Sequence, residues 1–198
     1  MNISIEDIKK LKELSGIGLT DAKVALVEAK GDFDKALEAL RKKGLTKAEK
    51  RSEREARQGI IDTYVHDSRI GVILEVNCET DFVARTDDFK NFAHEIALQI
   101  ASMDPKYINE SDIPSKELER VKNEAIEKAK SDGKPADMID KIVEGQVKKH
   151  FVDQVLMSQT YFRDEKQTIT DLTKETISKL GENVIVRQFK RIELGVSE

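Results

Sequence analysis

Apolar residues in the first quarter of the chain recur at the spacing of helices. Over residues 3–44 they return every three or four positions, with interruptions at 15–18 and 31–32, and this spacing gives each segment one apolar face to bury. The pattern predicts three short helices around one small core. Thr20 is placed to cap the second helix, and Gly44 is placed to end the third.

The next stretch, residues 45–58, carries charged side chains on every side of a potential helix. A helix without an apolar stripe has no face to bury, so we predict a solvated helical linker here. The chain is accordingly divided into an N-terminal helical domain at 1–50, the linker at 45–58 and a core domain at 59–198.

Three later segments have the alternating apolar pattern of β-strands. Residues 59–66 and 70–78 are separated by a short turn at Asp67–Arg69, and residues 184–194 form the third segment. Because a lone hairpin is marginal in water, the three segments are expected to pair in one small antiparallel sheet.

Helical spacing returns between the second and the third of these strands. Four helices are predicted there from capping residues, prolines and a glycine. The first begins at Thr86 or Asp87 and is ended by Asp104-Pro105, the second begins near Ser115, the third begins at Pro135, and the last runs from about Asp171 to Lys179, where Gly181 stops it. The predicted fold class is therefore α+β, with an N-terminal three-helix domain and a core whose three-stranded antiparallel sheet is covered by helices.

Composition and charge narrow the classes of function. The 198 residues are 38% hydrophobic and 36% charged, and 34 basic against 38 acidic residues give a net charge of −4. A general nucleic-acid binder would show a basic excess, so no direct nucleic-acid binding is expected. No apolar run approaches the ~20 residues that span a bilayer. One cysteine, Cys78, and no signal-peptide pattern fit a reducing compartment, so we expect a cytoplasmic protein without membrane attachment.

Motifs for enzyme chemistry are missing from the sequence. It contains no phosphate-binding loop of the G-x-x-x-x-G-K-[ST] type, and Gly16-Ile17-Gly18 follows a helical segment rather than a strand. The three histidines have no metal-ligand spacing to Cys78. The sequence predicts no catalytic residue, no cofactor and no metal site.

Residues 77–85, Asn-Cys-Glu-Thr-Asp-Phe-Val-Ala-Arg, follow the second predicted strand. Taken alone, this turn is ordinary. Thr80 or Asp81 could cap a helix, and Phe82 could be a core residue.

Three separated segments resemble elongation factor Ts. Residues 74–85, Leu-Glu-Val-Asn-Cys-Glu-Thr-Asp-Phe-Val-Ala-Arg, are similar to that family's signature. Residues 12–26 are similar to its second signature, R-x-x-T-G-A-G followed by a helix, with Lys, Ser and Ile in place of Arg, Thr and Ala. Residues 181–189, Gly-Glu-Asn-Val-Ile-Val-Arg-Gln-Phe, match as well, so the resemblance extends along the whole chain in the right order.

The resemblance implies a ubiquitin-associated-like N-terminal domain and a translation factor that binds the GTPase elongation factor Tu. Such a factor promotes GDP release by disturbing the Mg²⁺ and phosphate site of that partner. The residues implied in dislodging Mg²⁺ are Thr80, Asp81, Phe82 and Val83. The residues implied in docking the N-terminal domain on the partner are Leu19, Thr20 and Lys23.

The resemblance also implies a homodimer, since short family members are dimers. The strand pattern agrees, because a three-stranded sheet has edges and a face that must be covered. Positions Ile61 and Val65, or Ile185 and Phe189, can face such a second layer. The alternative is a monomer whose own helices cover both faces of the sheet.

Other interpretations stay open from the residues alone. A ubiquitin-associated-type binding module joined to an unrelated domain would fit the three-helix pattern. An RNA-binding protein could use the basic residues of 41–57, although no aromatic side chain lies among them for base stacking. Leu19, Thr20 and Lys23 could be ordinary surface and core-edge residues.

Overall fold

A computed structural model describes residues 4–15 and 17–196, so Gly16 of the predicted first turn lies outside the described residues. Backbone contacts group the chain into two units. One consists of residues up to Leu98 together with those from Thr170 onward, and the other is Gln99–Ile169. Helices combined with small antiparallel sheets confirm the predicted α+β class.

The first three helices are Ile5–Ser15 (α1), Leu19–Glu28 (α2) and Phe33–Arg51 (α3), and we call them the N-terminal module. Their apolar positions face one another because a helix turns once in 3.6 residues. The buried side chains form one cluster, which consists of Ile8, Leu11, Ile17, Ala22, Ala25, Leu26, Ala36 and Leu40. The three helices are those predicted, and they fit a ubiquitin-associated-like domain.

Two predicted helix ends in this module are wrong. α2 begins at Leu19 without a side-chain cap, so Thr20 lies in its first turn. Gly44 does not end α3, which continues to Arg51. Ala48, which follows the glycine, is buried, so packing holds this last part of α3. This packing offsets the roughly 1 kcal/mol cost of a glycine inside a helix.

Residues 45–51 are therefore the end of α3, and residues 52–57 lead from it into the sheet. The sequence pattern indicated that this charged stretch is exposed on every side. It is not, because Ala48 and Ala56 are buried. The domain limits drawn from sequence stay predictions: 1–50, 45–58 and 59–198.

The larger sheet has three antiparallel strands in the order β1-β2-β5, namely Gln58–His66 (β1), Ile70–Cys78 (β2) and Val184–Glu193 (β5). All three lie where the alternating pattern predicted them. Asp67 and Ser68 in the β1–β2 turn have φ angles of +47° and +56°. Short polar residues tolerate this left-handed conformation, which makes the turn tight.

The two faces of this sheet differ in burial. On the inner face, alternate β2 side chains are at most 4% exposed: Val72, Leu74, Val76 and Cys78. On the opposite side, four apolar side chains are 50–71% exposed, and we call them the outer sheet face: Ile61, Val65, Ile73 and Ile192. The register places Val65 and Ile192 on either side of Gly71, so the apolar positions of the three strands are neighbours.

A β-bulge changes the alternation along β5. Glu75 pairs with Gln188, whereas the next residue of β2 pairs with Val186, so Arg187 is the extra residue. The prediction that Ile185 and Phe189 share one face is therefore wrong. Phe189 pairs with Leu74 of the inner face, while Ile61 and Val65 lie on the outer face as predicted.

Helices Asp81–Ala84 (α4), Asp87–Met103 (α5) and Ile169–Leu180 (α8) complete the elements around the sheet. Thr86 caps α5 as predicted, since its Oγ1 accepts a hydrogen bond from the Phe89 amide at 3.3 Å. Gly181 ends α8 with φ of +80°, a conformation that glycine adopts without strain.

The second unit contains helices Ser115–Ser131 (α6) and Ala136–Phe151 (α7), which pack on each other, and a two-stranded sheet of Thr160–Tyr161 (β3) and Asp164–Thr168 (β4). Both helices begin within one residue of the predicted starts. The small sheet was not predicted, because β4 has no apolar residue and no alternation. A buried amide pair, Gln99 Nε2 to Gln159 Oε1 at 3.0 Å, lies in this unit.

Candidate partner-binding site

Phe82 projects from the turn that follows β2, and 78% of it is exposed. At this exposure the ring contributes little packing to its own fold, and it is available for contact with another molecule. The alternative that Phe82 belongs to the core is therefore wrong. Phe89, in the next helix α5, is fully buried and is a core residue.

The turn around Phe82 is built by the short helix α4. Thr80 is its N-cap and accepts a hydrogen bond from the Val83 amide at 3.4 Å, which confirms Thr80 as a capping residue. Asp81 pairs with Arg85 at 2.8 Å on the surface, where such a pair contributes about 0–1 kcal/mol. Val83 is half-buried. Phe82 is therefore the most exposed of the four predicted residues, and the other three are half-buried.

Two residues just before β5 hold this turn in place. The Thr80 amide and hydroxyl donate to the two carboxylate oxygens of Glu182 at 3.0 and 2.6 Å. The Asn183 amide donates to Glu79 Oε1 at 2.7 Å. Hydrogen bonds to a charged carboxylate are among the stronger ones in proteins. We call Glu182 and Asn183 the clamp.

The clamp also binds the chain that leads from α3 into β1. The side-chain amide of Asn183, which is 1% exposed, donates to the carbonyl oxygens of Ser52 at 3.2 Å and Arg54 at 2.6 Å. Arg187 donates to the Ala56 carbonyl oxygen at 3.1 Å. The clamp was missed as a site from sequence. The only signal for it was that residues 181–189 were one of the three similar segments.

Removing the clamp carboxylate should loosen the Phe82 turn. We expect Glu182→Ala to lower the free energy of unfolding by about 1–3 kcal/mol, because Thr80 loses both acceptors in a half-buried place. Urea unfolding measures this loss, and a lower NMR order parameter at the Phe82 amide would locate it. Glu127→Ala, at an exposed position of α6, is the matched control. Equal unfolding midpoints for the two variants would contradict the clamp.

Cys78 lies directly under this turn, with no exposed surface, and its Sγ donates to the Thr80 carbonyl oxygen at 3.1 Å. Burial, followed by the negative charge of Glu182, raises the pKa of the Cys78 thiol to about 11. The thiol therefore stays protonated at neutral pH and is poorly nucleophilic.

We expect Cys78 in the folded chain to react with iodoacetamide at pH 8 at least about 100-fold more slowly than in the urea-unfolded chain, since two pKa units remove that much thiolate. Mass spectrometry of timed samples measures both rates. The raised pKa also favours the folded state below pH 9, and this contribution is lost as the pH rises through about 11. Similar rates in the two states would show that the turn opens readily.

The other predicted residues, Leu19, Thr20 and Lys23, lie in the first turns of α2 and are exposed. Leu19 is 50% exposed, and the same side of the helix carries Val24 and Val27 at 45% and 56%. We call these five residues the α2 face. The structure puts the α2 face and the Phe82 turn on different elements, α2 and α4.

Across residues 4–15 and 17–196, no group of three His, Cys, Asp or Glu side chains could hold a metal ion. Within the same residues, no helix combines the length and the apolar character that a membrane span requires. The site consists of exposed apolar side chains on a hydrogen-bonded support, an arrangement suited to contact with another macromolecule.

Comparison with known proteins identifies the family. The family model described as "Elongation factor TS" matches residues 42–196. Elongation factor Ts of Thermoanaerobacter sp. (strain X514) is 48% identical over 194 residues, which cover 98% of this chain and 95% of that protein. The protein of the same name from Coprothermobacter proteolyticus is 50% identical over 196 residues, 98% of this chain and 100% of the relative. The chain belongs to the elongation factor Ts family, and the predicted resemblance is confirmed.

Proposed function

We propose that this chain is a guanine-nucleotide exchange factor that binds elongation factor Tu in its GDP-bound form and promotes release of GDP. The observation that carries the proposal is the exposure of Phe82, at 78%, on a turn fixed by the clamp and within a segment similar to the family signature. Translation takes place in the cytoplasm, and the protein is proposed to act there.

The thermodynamics of exchange set what these residues must do. The exchange factor must bind the empty GTPase more tightly than the GDP-bound form, and linkage then weakens GDP binding by the same factor. Mg²⁺ and GDP stabilise each other on a GTPase because the cation neutralises phosphate oxygens. A segment that displaces the partner's Mg²⁺ therefore also lowers the affinity for GDP.

Phe82 and Asp81 are suited to different parts of this task. Phe82 loses exposed apolar surface when it enters the partner, which favours the complex, and it can act as a wedge beside the Mg²⁺ site. Asp81 brings a carboxylate, which is repelled by nucleotide phosphates. Arg85 holds that carboxylate at 2.8 Å in the free chain, so Asp81 exchanges one ion pair for new contacts on binding.

The proposal is tested by mixing the chain with elongation factor Tu that carries fluorescent GDP and an excess of unlabelled nucleotide. Substoichiometric chain should accelerate the fluorescence change of release. The chain alone should not hydrolyse GTP, because it is proposed to act by binding and not as an enzyme. An unchanged release rate at saturating chain would refute the proposed function.

The α2 face is proposed to dock the N-terminal module on the partner through Leu19, Thr20 and Lys23. We expect Leu19→Asp to weaken binding to elongation factor Tu by about tenfold or more, because it puts a charge into an apolar contact. Calorimetry measures the affinity. Ile5→Asp on α1, where the isoleucine is 71% exposed, is the matched control. Equal affinities for both variants and the unmodified chain would exclude docking through this face.

A homodimer is proposed to cover the outer sheet face. Its four apolar side chains lie on adjacent strands, and Gly71 between two of them leaves room for close approach of a second layer. Two sheets pack face to face at a spacing of about 10 Å. A second copy of the same face around a two-fold axis supplies a matching apolar surface, so the proposed interface is a sandwich of two identical sheets.

A further inference from the structure

Gly44 lies inside α3 at a point where α8 comes close. A Cβ atom at Gly44 would meet Ser178 Oγ at 2.6 Å and Ser178 Cβ at 3.3 Å, both nearer than favourable van der Waals contact. Glycine is a poor helix former, so its position inside α3 costs helix stability. A larger residue at this position would require the Ser178 hydroxyl to rotate away and α8 to move by a few tenths of an ångström.

Two polar contacts join the same pair of helices. Arg51 Nη1 donates to the Ile177 carbonyl oxygen at 3.2 Å, and Lys174 Nζ pairs with Glu49 Oε1 at 3.0 Å. Positions 174, 177 and 178 are spaced three and four residues apart and share one face of α8. We call the contacts of this face with α3 the α3–α8 seam.

The packing beside the seam is incomplete. A cavity of about 360 Å³ lies between the N-terminal module and the helices α5 and α8, with Leu14 and Leu40 on one side and Phe92 and Leu172 on the other. An open cavity of this size cannot fix an orientation by close packing. The seam is therefore one of the contacts that place the module on the core, together with the bonds from Asn183 to the chain that follows α3.

We propose that Gly44 is a positioning residue of the exchange factor. Its missing side chain allows α3 to lie against Ser178, and this contact sets where the module holds the α2 face relative to the Phe82 turn. The consequence for partner binding rests on the proposed docking role of the α2 face. The placement of the module itself does not depend on that role.

The test measures the placement directly in the free full-length chain. Spin labels are attached at Glu28→Cys on α2 and Lys90→Cys on α5, both exposed positions, while buried Cys78 stays unlabelled. Gly44→Ala should shift or broaden the distance between the labels by on the order of 2 Å, because the helix carries a small displacement over its length. Gly145→Ala on α7, where an added Cβ meets nothing within 4 Å, should leave the distance unchanged.

A second variant separates positioning from a simple effect on the helix. Ser178→Gly added to Gly44→Ala removes the clashing atoms and should restore the original distance, with Ser178→Gly alone as reference. In parallel, Gly44→Ala should weaken binding to elongation factor Tu by about threefold or more, and the double variant should recover it.

The outcomes distinguish the inference from the proposed function. An unchanged distance in Gly44→Ala, or a shifted distance that Ser178→Gly fails to restore, overturns the positioning role. A shifted and restored distance supports it, even when binding to the GTPase stays constant. In that last case the docking role of the α2 face is refuted instead.

Discussion

Phe82→Ala is expected to slow GDP release from elongation factor Tu by about tenfold or more, the effect of removing one aromatic anchor worth at least 1.4 kcal/mol of binding. The fold should be unaffected. With 78% of the residue exposed, the substitution should change the free energy of unfolding by no more than about 0.5 kcal/mol. Exchange kinetics and thermal melting on the same samples measure both quantities.

Phe89→Ala provides the matched control for Phe82→Ala. Phe89 is fully buried, so its loss should cost about 3–5 kcal/mol of stability, while its ring offers no exposed surface to a partner. Asp81→Ala should also slow exchange with the fold intact, since Asp81 contributes only a surface ion pair to the free chain. A large loss of stability in Phe82→Ala with normal exchange would reverse the assigned roles of Phe82 and Phe89.

Ile73→Glu is expected to convert a dimer into monomers. Ile73 lies in the centre of the outer sheet face, and a two-fold axis would bring two new carboxylates into the same apolar layer, each with a desolvation cost on the order of several kcal/mol. The monomer should stay folded, because Lys190 of β5 is the neighbour of position 73 and can pair with the new carboxylate across the strands. Light scattering after size exclusion at micromolar concentration measures the mass.

Met138→Glu is the control for Ile73→Glu. Met138 on α7 is 51% exposed, close to the 50% of Ile73, and it lies outside the sheet. It should leave the mass of the assembly unchanged. A monomer mass for the unmodified chain, with and without elongation factor Tu, would exclude the dimer and leave the outer sheet face without its proposed cover.

Local patterns in the sequence predicted most of the fold because the forces behind them are local. The strands β1, β2 and β5 follow from alternating apolar residues, and the starts of α5, α6 and α7 follow from Thr86, Ser115 and Pro135. Gly44 shows where this reasoning fails. A glycine usually ends a helix, but here contact with a helix 134 positions later in the chain offsets the local preference.

The site was only partly predictable for the same reason. The segment Thr80–Val83 was found by resemblance, but an apolar residue after a strand fits the core and the surface equally well, so the exposure of Phe82 needed coordinates. The bond from Thr80 to Glu182 spans 102 positions, and no spacing rule connects such residues. The bulge at Arg187 likewise moved Phe189 to the face opposite to its expected one.

The central position of β2 determines the local stability of the strand that carries the Phe82 turn. β2 is hydrogen-bonded to a strand on each side, and its inner side chains are at most 4% exposed. Amides in such a strand exchange their hydrogens with solvent only when the whole domain opens, whereas frayed termini exchange at once. The Phe82 turn begins two residues beyond this strand, so the proposed contact with the partner is anchored in the part of the fold that opens last.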